Sequence, residues 1–173
     1  MPSKVPLIYW DSCVFIDRIQ GTSGRIDLLT ELTERAERGD LKIVASTITI
    51  AEVLRGPDEK ATHEEQEERI ISYFENSWIE LRPVDRRVAE EARRLRRIHH
   101  FQTVDAIHVA TALSVGADCL HTYDGAHLLN KNGMCGNPAL SIIEPRHPDA
   151  KQLMFFDAER DQAKSIDGDN KSI

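Results

Sequence analysis

Cysteine is scarce in this sequence, with three in 173 residues at Cys13, Cys119 and Cys135. They are far apart and form no C-x-x-C pair, which excludes a disulfide framework and a cysteine zinc site and leaves them as reduced packing residues. Aromatic residues make up only 6%, and none is interleaved with basic residues as a single-strand stacking platform requires. No G-x-G-x-x-G follows the first apolar run, so a dinucleotide site lacks its phosphate loop. Long hydrophobic runs are missing too. The stretch from Val5 to Ile16 carries Pro6 and Asp11, has no small-residue cleavage pattern, and falls short of the roughly 18 residues that a membrane span needs. A cytoplasmic protein with no membrane association is therefore expected. Nor is there an excess of positive charge: the formal net charge is -7, which argues against attachment to nucleic acid by global charge.

What is present is ordinary globular composition, with 40% hydrophobic and 29% charged residues and a mean hydropathy of -0.41, in a length that suits one domain. Charge is segregated within it. Six acids (Asp58, Glu59, Glu64, Glu65, Glu67, Glu68) crowd one short stretch, whereas Arg82 to His100 holds seven arginines. The ordinary explanation of both is a solvated helix face. In Val84 to His100, however, apolar Val84, Val88, Ala92, Leu95 and Ile98 recur at helical spacing, so Arg86, Arg93, Arg94 and Arg97 can form a basic stripe able to attract phosphates.

Short apolar runs alternate with helical patterns, which is the mark of a parallel α/β sheet. The runs are Leu7 to Trp10, Leu41 to Ala45, Trp78 to Leu81, Cys119 to Tyr123 and Leu140 to Ile143. Helices are expected over Arg25 to Arg38, Thr49 to Leu54 (stopped by Gly56-Pro57), Glu64 to Phe74, Val84 to Ile98, Val104 to Val115 and Ala126 to Asn132. The fold class is α/β, a three-layer α/β/α domain on a mostly parallel five-stranded sheet. Residues 1–145 read as this domain. Residues 146–173 read as a partly disordered extension, with Leu153 to Phe156 as a possible docking segment.

Open parallel sheets bind ligands at the carboxyl ends of their strands, and four acids fall there. Asp11 directly follows the first run and Asp124 the fourth. Glu52 lies in the helix after the second, and Asp105 opens a helix behind Thr103, which reads as its cap. Asp105 alone is explained by the helix dipole and Asp124 alone by a turn before Gly125. Asp11 and Glu52 sit among apolar neighbours, where an uncompensated acid is costly. Four carboxylates at one edge repel unless a cation neutralises them, and Mg²⁺ or Mn²⁺ takes such oxygens. A cluster of this kind suits metal-assisted phosphodiester cleavage. Ser46 and Thr122 would support it as hydroxyl donors. His108 reads as packing, given Val104, Ile107, Val109 and Ala112 around it, and His121 and His127 stay outside the catalytic set.

Taken together, IYWDSCVFID, ASTITIAEVLRG, TVDAIHVATALSVGAD and CLHTYDGAHLL resemble PIN-domain ribonucleases, especially VapC-like toxins of toxin-antitoxin pairs, over about Leu7 to Pro145. The resemblance implies an Mg²⁺- or Mn²⁺-dependent endoribonuclease that cleaves RNA by a metal-activated water. Its metal-holding catalytic acids would be Asp11, Glu52, Asp105 and Asp124, with Ser46 and Thr122 in support. It also implies a homodimer and a cognate antitoxin. One position departs from the pattern: many relatives carry another acid three residues beyond the equivalent of Asp124, and here that residue is His127. Two other readings compete. An aspartyl phosphotransferase with Asp11 as nucleophile would want a second Asp where Cys13 stands, and a non-catalytic PIN-fold module would bind RNA or a protein as a regulator and would be signalled by the loss of an acid.

Overall fold

The computed structural model describes residues 4–54 and 62–148. Five strands form one sheet: β1 (Leu7–Trp10), β2 (Lys42–Ser46), β3 (Ile79–Arg82), β4 (Cys119–His121) and β5 (Ser141–Ile143). Their order is β3-β2-β1-β4-β5, and every pair is parallel. Six α-helices lie among the described residues: α1 (Ser12–Gln20), α2 (Ile26–Glu37), α3 (Ile48–Glu52), α4 (His63–Phe74), α5 (Arg86–His99) and α6 (Thr103–Val115).

Alternation along β1 divides the core. Ile8 and Trp10 face a cluster built with Val14, Phe15, Leu29, Leu32, Ile70 and Phe74 from α1, α2 and α4. Tyr9 faces the opposite cluster, built with Val88, Ala92 and Leu95 of α5 and Ala106, Val109 and Ala110 of α6. Successive strand residues point to opposite faces, so this division produces the three layers. The strands are apolar on both sides because helices cover both.

The connections decide where a ligand fits. The chain leaves β1 for β2 through α1 and α2 on one face, and reaches β4 from β3 through α5 and α6 on the other. The strand order therefore reverses between β1 and β4, and the carboxyl ends of these two strands flank the crevice that such a reversal opens.

Several sequence expectations need correction. The helix α1 was not expected, because Val14, Phe15 and Ile16 continue the apolar run of β1. Over Ala126 to Asn132 the chain forms only a short 3-10 turn, Leu129–Lys131. The Asp124 carboxylate takes the Ala126 and His127 amides at 3.0 and 2.9 Å and winds the chain into a turn in place of a helix start. Thr103 does not cap α6. The cap position belongs to Gln102, whose backbone is extended (φ -61, ψ 159) and whose side chain makes no capping bond. The Gly56-Pro57 stop, the acids Asp58 and Glu59, the Leu153 to Phe156 segment and nearly all of the 146–173 extension lie outside the described residues. No helix among the described residues is long and apolar enough to cross a membrane.

Candidate active site

Asp11 ends β1 and caps α1 in one step. Its backbone is extended (φ -80, ψ 177), and its Oδ1 accepts the Val14 amide at 3.3 Å and the Cys13 thiol at 2.9 Å. Thr122 also hydrogen-bonds this carboxyl. The residue is only 3% exposed, and burial raises its pKa against the pull of these donors and of nearby His108. Thr122 Oγ1 in turn accepts the Asp124 amide at 2.9 Å, so one hydroxyl ties the acid after β1 to the acid after β4. The Cys13 thiol is pushed up by burial and by Asp11, which keeps it a protonated donor.

Asp105 is the third residue of α6. It is half-buried and carries no hydrogen bond among the described residues. Its pKa is raised, first by burial and then by the charges of Asp124 and Asp11, with His127 and His108 opposing. Asp124 differs. Partial burial works against its ionisation, but the His127 amide and ring and the Ala126 amide outweigh this and hold the carboxyl below its usual value. The His127 Nδ1 stands 3.1 Å from Asp124 Oδ2.

Glu52 ends α3, and its Oε2 lies 2.7 Å from Nε2 of the buried His108. The other ring nitrogen, Nδ1, lies 2.8 Å from Tyr9 Oη, which accepts the Ser46 amide at 3.0 Å. The Ser46 hydroxyl accepts the Ile48 amide at 3.3 Å and so helps start α3. Tyr9 is fully buried; burial first, and the nearby Asp11 and Glu52 charges after it, raise its pKa, so it remains a phenol.

Asp105 feels the charges of Asp124 and Asp11, and His108, which holds Glu52, acts on both Asp11 and Asp105, so the four acids share one neighbourhood at the β1/β4 crevice. The fit to a divalent cation rests on donor chemistry. The four acids offer hard oxygens, Asp105 is unpartnered, and its ionisation is opposed by two other carboxylates, a conflict that a cation relieves. In the arrangement described, however, no group of three or more His, Cys, Asp or Glu among the described residues stands close enough to hold one ion. Glu52 and Asp124 are engaged by histidines. Arg93, Arg94 and Arg97 lie on the exposed side of α5, where with Glu90 and Ile98 they line a groove of about 310 Å³. Arg94 is paired to Glu91 at 2.6 Å.

Residues 8–130 match the PIN domain family model. The chain belongs to the PIN domain family. No curated protein matches it. Among solved structures, this PIN domain is similar to VapC20 of Mycobacterium tuberculosis, described as a sarcin-ricin loop cleaving toxin, with 14% identity, a TM-score of 0.54 and coverage of 69% of this chain and 91% of that one. It is similar to a toxin-antitoxin complex from Klebsiella pneumoniae at 23% identity and a TM-score of 0.52, covering 82% and 99%. A third relative is VapBC2 of Rickettsia felis, bound to a promoter DNA fragment, at 18% identity and a TM-score of 0.56, covering 79% and 98%.

Tyr9 and His108 are the site-lining residues that the sequence did not assign. Their only sequence signal was a histidine three residues after Asp105 on an otherwise apolar helix. His108 does pack in the core, but its ring also reaches an acid of the site.

Proposed function

We propose that this PIN domain is an endoribonuclease that hydrolyses RNA phosphodiester bonds with Mg²⁺ or Mn²⁺ as cofactor and acts as the toxin of a toxin-antitoxin pair. The observation that carries the reading is Asp105, unpartnered, half-buried and set against the charges of Asp124 and Asp11. Asp11, Asp105 and Asp124 would hold the cation, with Glu52 orienting water beside it. When bound, the cation supplies a water of lowered pKa and neutralises charge developing on the phosphate. The chain's own contribution is placement. The α1 cap and Thr122 fix Asp11, the Ala126 and His127 amides fix Asp124, and His108 holds Glu52. Ser46 and Thr122 act through the backbone and carboxyl groups that they bond.

The activity is assigned to residues 1–145, with 146–173 as an extension, in a cytoplasmic protein that pairs with itself and with an antitoxin. The two solved relatives that are toxin-antitoxin assemblies support that last assignment. Arg93, Arg94 and Arg97 are assigned to RNA phosphates. A second reading, a non-catalytic PIN-fold module that binds RNA or a protein, is favoured by one observation: both Asp124 oxygens are occupied by protein donors.

One experiment separates the two readings. The protein and an Asp11→Asn variant are incubated with a pool of structured RNAs in Mg²⁺, Mn²⁺ or EDTA. Metal-dependent cutting that disappears in the variant is expected. Cutting by neither protein favours the binding module, and equal cutting by both defeats the assignment of Asp11.

A further inference from the structure

Glu52 stands alone among the four acids in being held by a side chain from another layer of the fold. Tyr9 on β1, Ser46 at the end of β2, His108 on α6 and Glu52 on α3 form one hydrogen-bonded line. Its links are 3.0 Å from the Ser46 amide to Tyr9 Oη, 2.8 Å from Tyr9 Oη to His108 Nδ1, and 2.7 Å from His108 Nε2 to Glu52 Oε2. The direction of the line follows from its donors. The Ser46 N–H can only donate, so Tyr9 Oη accepts there. The Glu52 carboxylate can only accept, so His108 Nε2 carries the proton that is donated to it. Tyr9 Oη, with the Ser46 amide on one side, stands against the other ring nitrogen and fixes the plane of the imidazole.

We propose that His108, oriented by Tyr9 and the Ser46 amide, is a positioning residue that fixes one oxygen of Glu52 and leaves the other free to accept a hydrogen bond from substrate water. The proposal rests on the ribonuclease reading. Burial supports it: Tyr9 is fully buried, and His108 is 2% exposed against 28% for the Glu52 side chain. A rigid ring therefore grips an acid whose far side reaches solvent. The line also couples the site to the sheet, because Tyr9 sits on the central strand and its hydroxyl occupies the β2 amide that leads into α3. Partners that orient functional carboxylates and imidazoles in this way typically matter by about 10- to 100-fold.

The test uses the full chain with His108→Leu, His108→Gln and Tyr9→Phe. The Gln side chain keeps an N–H donor for Glu52, whereas Leu keeps only volume. On an RNA that the wild type cuts, His108→Leu is expected to lower kcat by about 10- to 100-fold with KM little changed. His108→Gln should recover most of that loss, and Tyr9→Phe should fall between them. A purely structural role would make Leu and Gln lose activity in step with their melting temperatures, and that result overturns the proposal, as does wild-type kcat in His108→Leu. A second readout is independent of cutting. Long-range ¹H–¹⁵N correlations of the histidine rings should show His108 protonated at Nε2, and its Nε2 signal should move in Glu52→Gln. A ring with no proton on Nε2, or one indifferent to Glu52, overturns the clamp. A wild type that cuts no RNA defeats the ribonuclease reading, while the ring spectra still decide whether His108 holds Glu52.

Discussion

The neighbouring helices α5 and α6 pack on each other and on the same face of the sheet, yet they treat polar residues in opposite ways. On α5 the charged side chains point outward and find partners one turn away, Arg86 with Glu90 at 2.7 Å and Arg94 with Glu91 at 2.6 Å. Exposed pairs of this kind add little to stability. On α6 burial extends almost all round, over Ala106, His108, Val109, Ala110, Thr111 and Ala112, so each polar group must be satisfied or used. Thr111 satisfies itself on the Ile107 carbonyl and His108 satisfies Glu52 and Tyr9. Asp105, half-buried, has no hydrogen-bond partner among the described residues. A polar residue is thus informative in proportion to what its surroundings would charge for leaving it idle, and by that measure α6 carries the site and α5 at most its approach.

The sharpest way to break this contrast is Asp105→Asn. Loss of the α6 carboxylate is expected to reduce metal-dependent RNA cutting by about 10²-fold or more, the scale on which single preorganised electrostatic groups act. The melting temperature should not fall. The sign follows from the raised pKa of Asp105. The fold prefers its protonated form, so the contribution to stability is present below the unfolded pKa and is lost as pH rises through the folded one, leaving the ionised group a liability at neutral pH. A variant that is both inactive and clearly less stable would mean that Asp105 supports structure.

A smaller effect is expected from α5 itself. Replacing Arg93, Arg94 and Arg97 together by Glu should weaken RNA binding and flatten the plot of log affinity against log salt by about 2, the loss of roughly three phosphate contacts on a single strand. Unchanged affinity and slope would return this stripe to plain solubility. The smallest effect concerns β4, into which α6 leads. Burial holds His121 down to about 3 from 6.5, and its Nδ1 has no hydrogen-bond partner among the described residues. A depressed histidine contributes stability that is full above pH 6.5 and is lost as pH falls toward 3. His121→Leu should therefore flatten the fall of the urea midpoint between pH 7 and pH 4.5, by no more than one proton's worth. An unchanged slope would show that the ring escapes its pocket before it charges.

Much of this arrangement is legible in the linear string. Strand β1 occupies Leu7–Trp10 as its apolar run indicates, and the other four strands lie within a residue or two of theirs, because strands covered on both faces are continuous apolar runs. Asp11 and Asp124 were placed at one edge by the rule that parallel strands share a carboxyl end. Helix α1 was hidden because no loop separates it from β1: Asp11 is the whole junction, and a short apolar run does not reveal whether its period is 2 or 3.6. The role of His108 was hidden for a different reason. Its residue type and spacing from Asp105 are visible, but Tyr9 lies 99 positions away and Glu52 lies 56 away. Only the face on which Tyr9 falls, which the sheet alternation sets, brings the three together.

The reversal of strand order between β1 and β4 has an evolutionary corollary. Asp11 directly follows β1, Asp124 lies three residues past β4, Glu52 ends α3 and Asp105 stands in the first turn of α6, all close to the sheet, whereas the residues between α1 and α2, where Arg25 lies over the Tyr123 ring, and those after Asp124 form borders that do not join the sheet. Lengthening or rewriting those borders leaves the strand ladder untouched. On the proposed ribonuclease reading, the reacting acids and the segments that would choose a target are housed in separable parts, so related chains could change what they recognise while keeping the same chemistry.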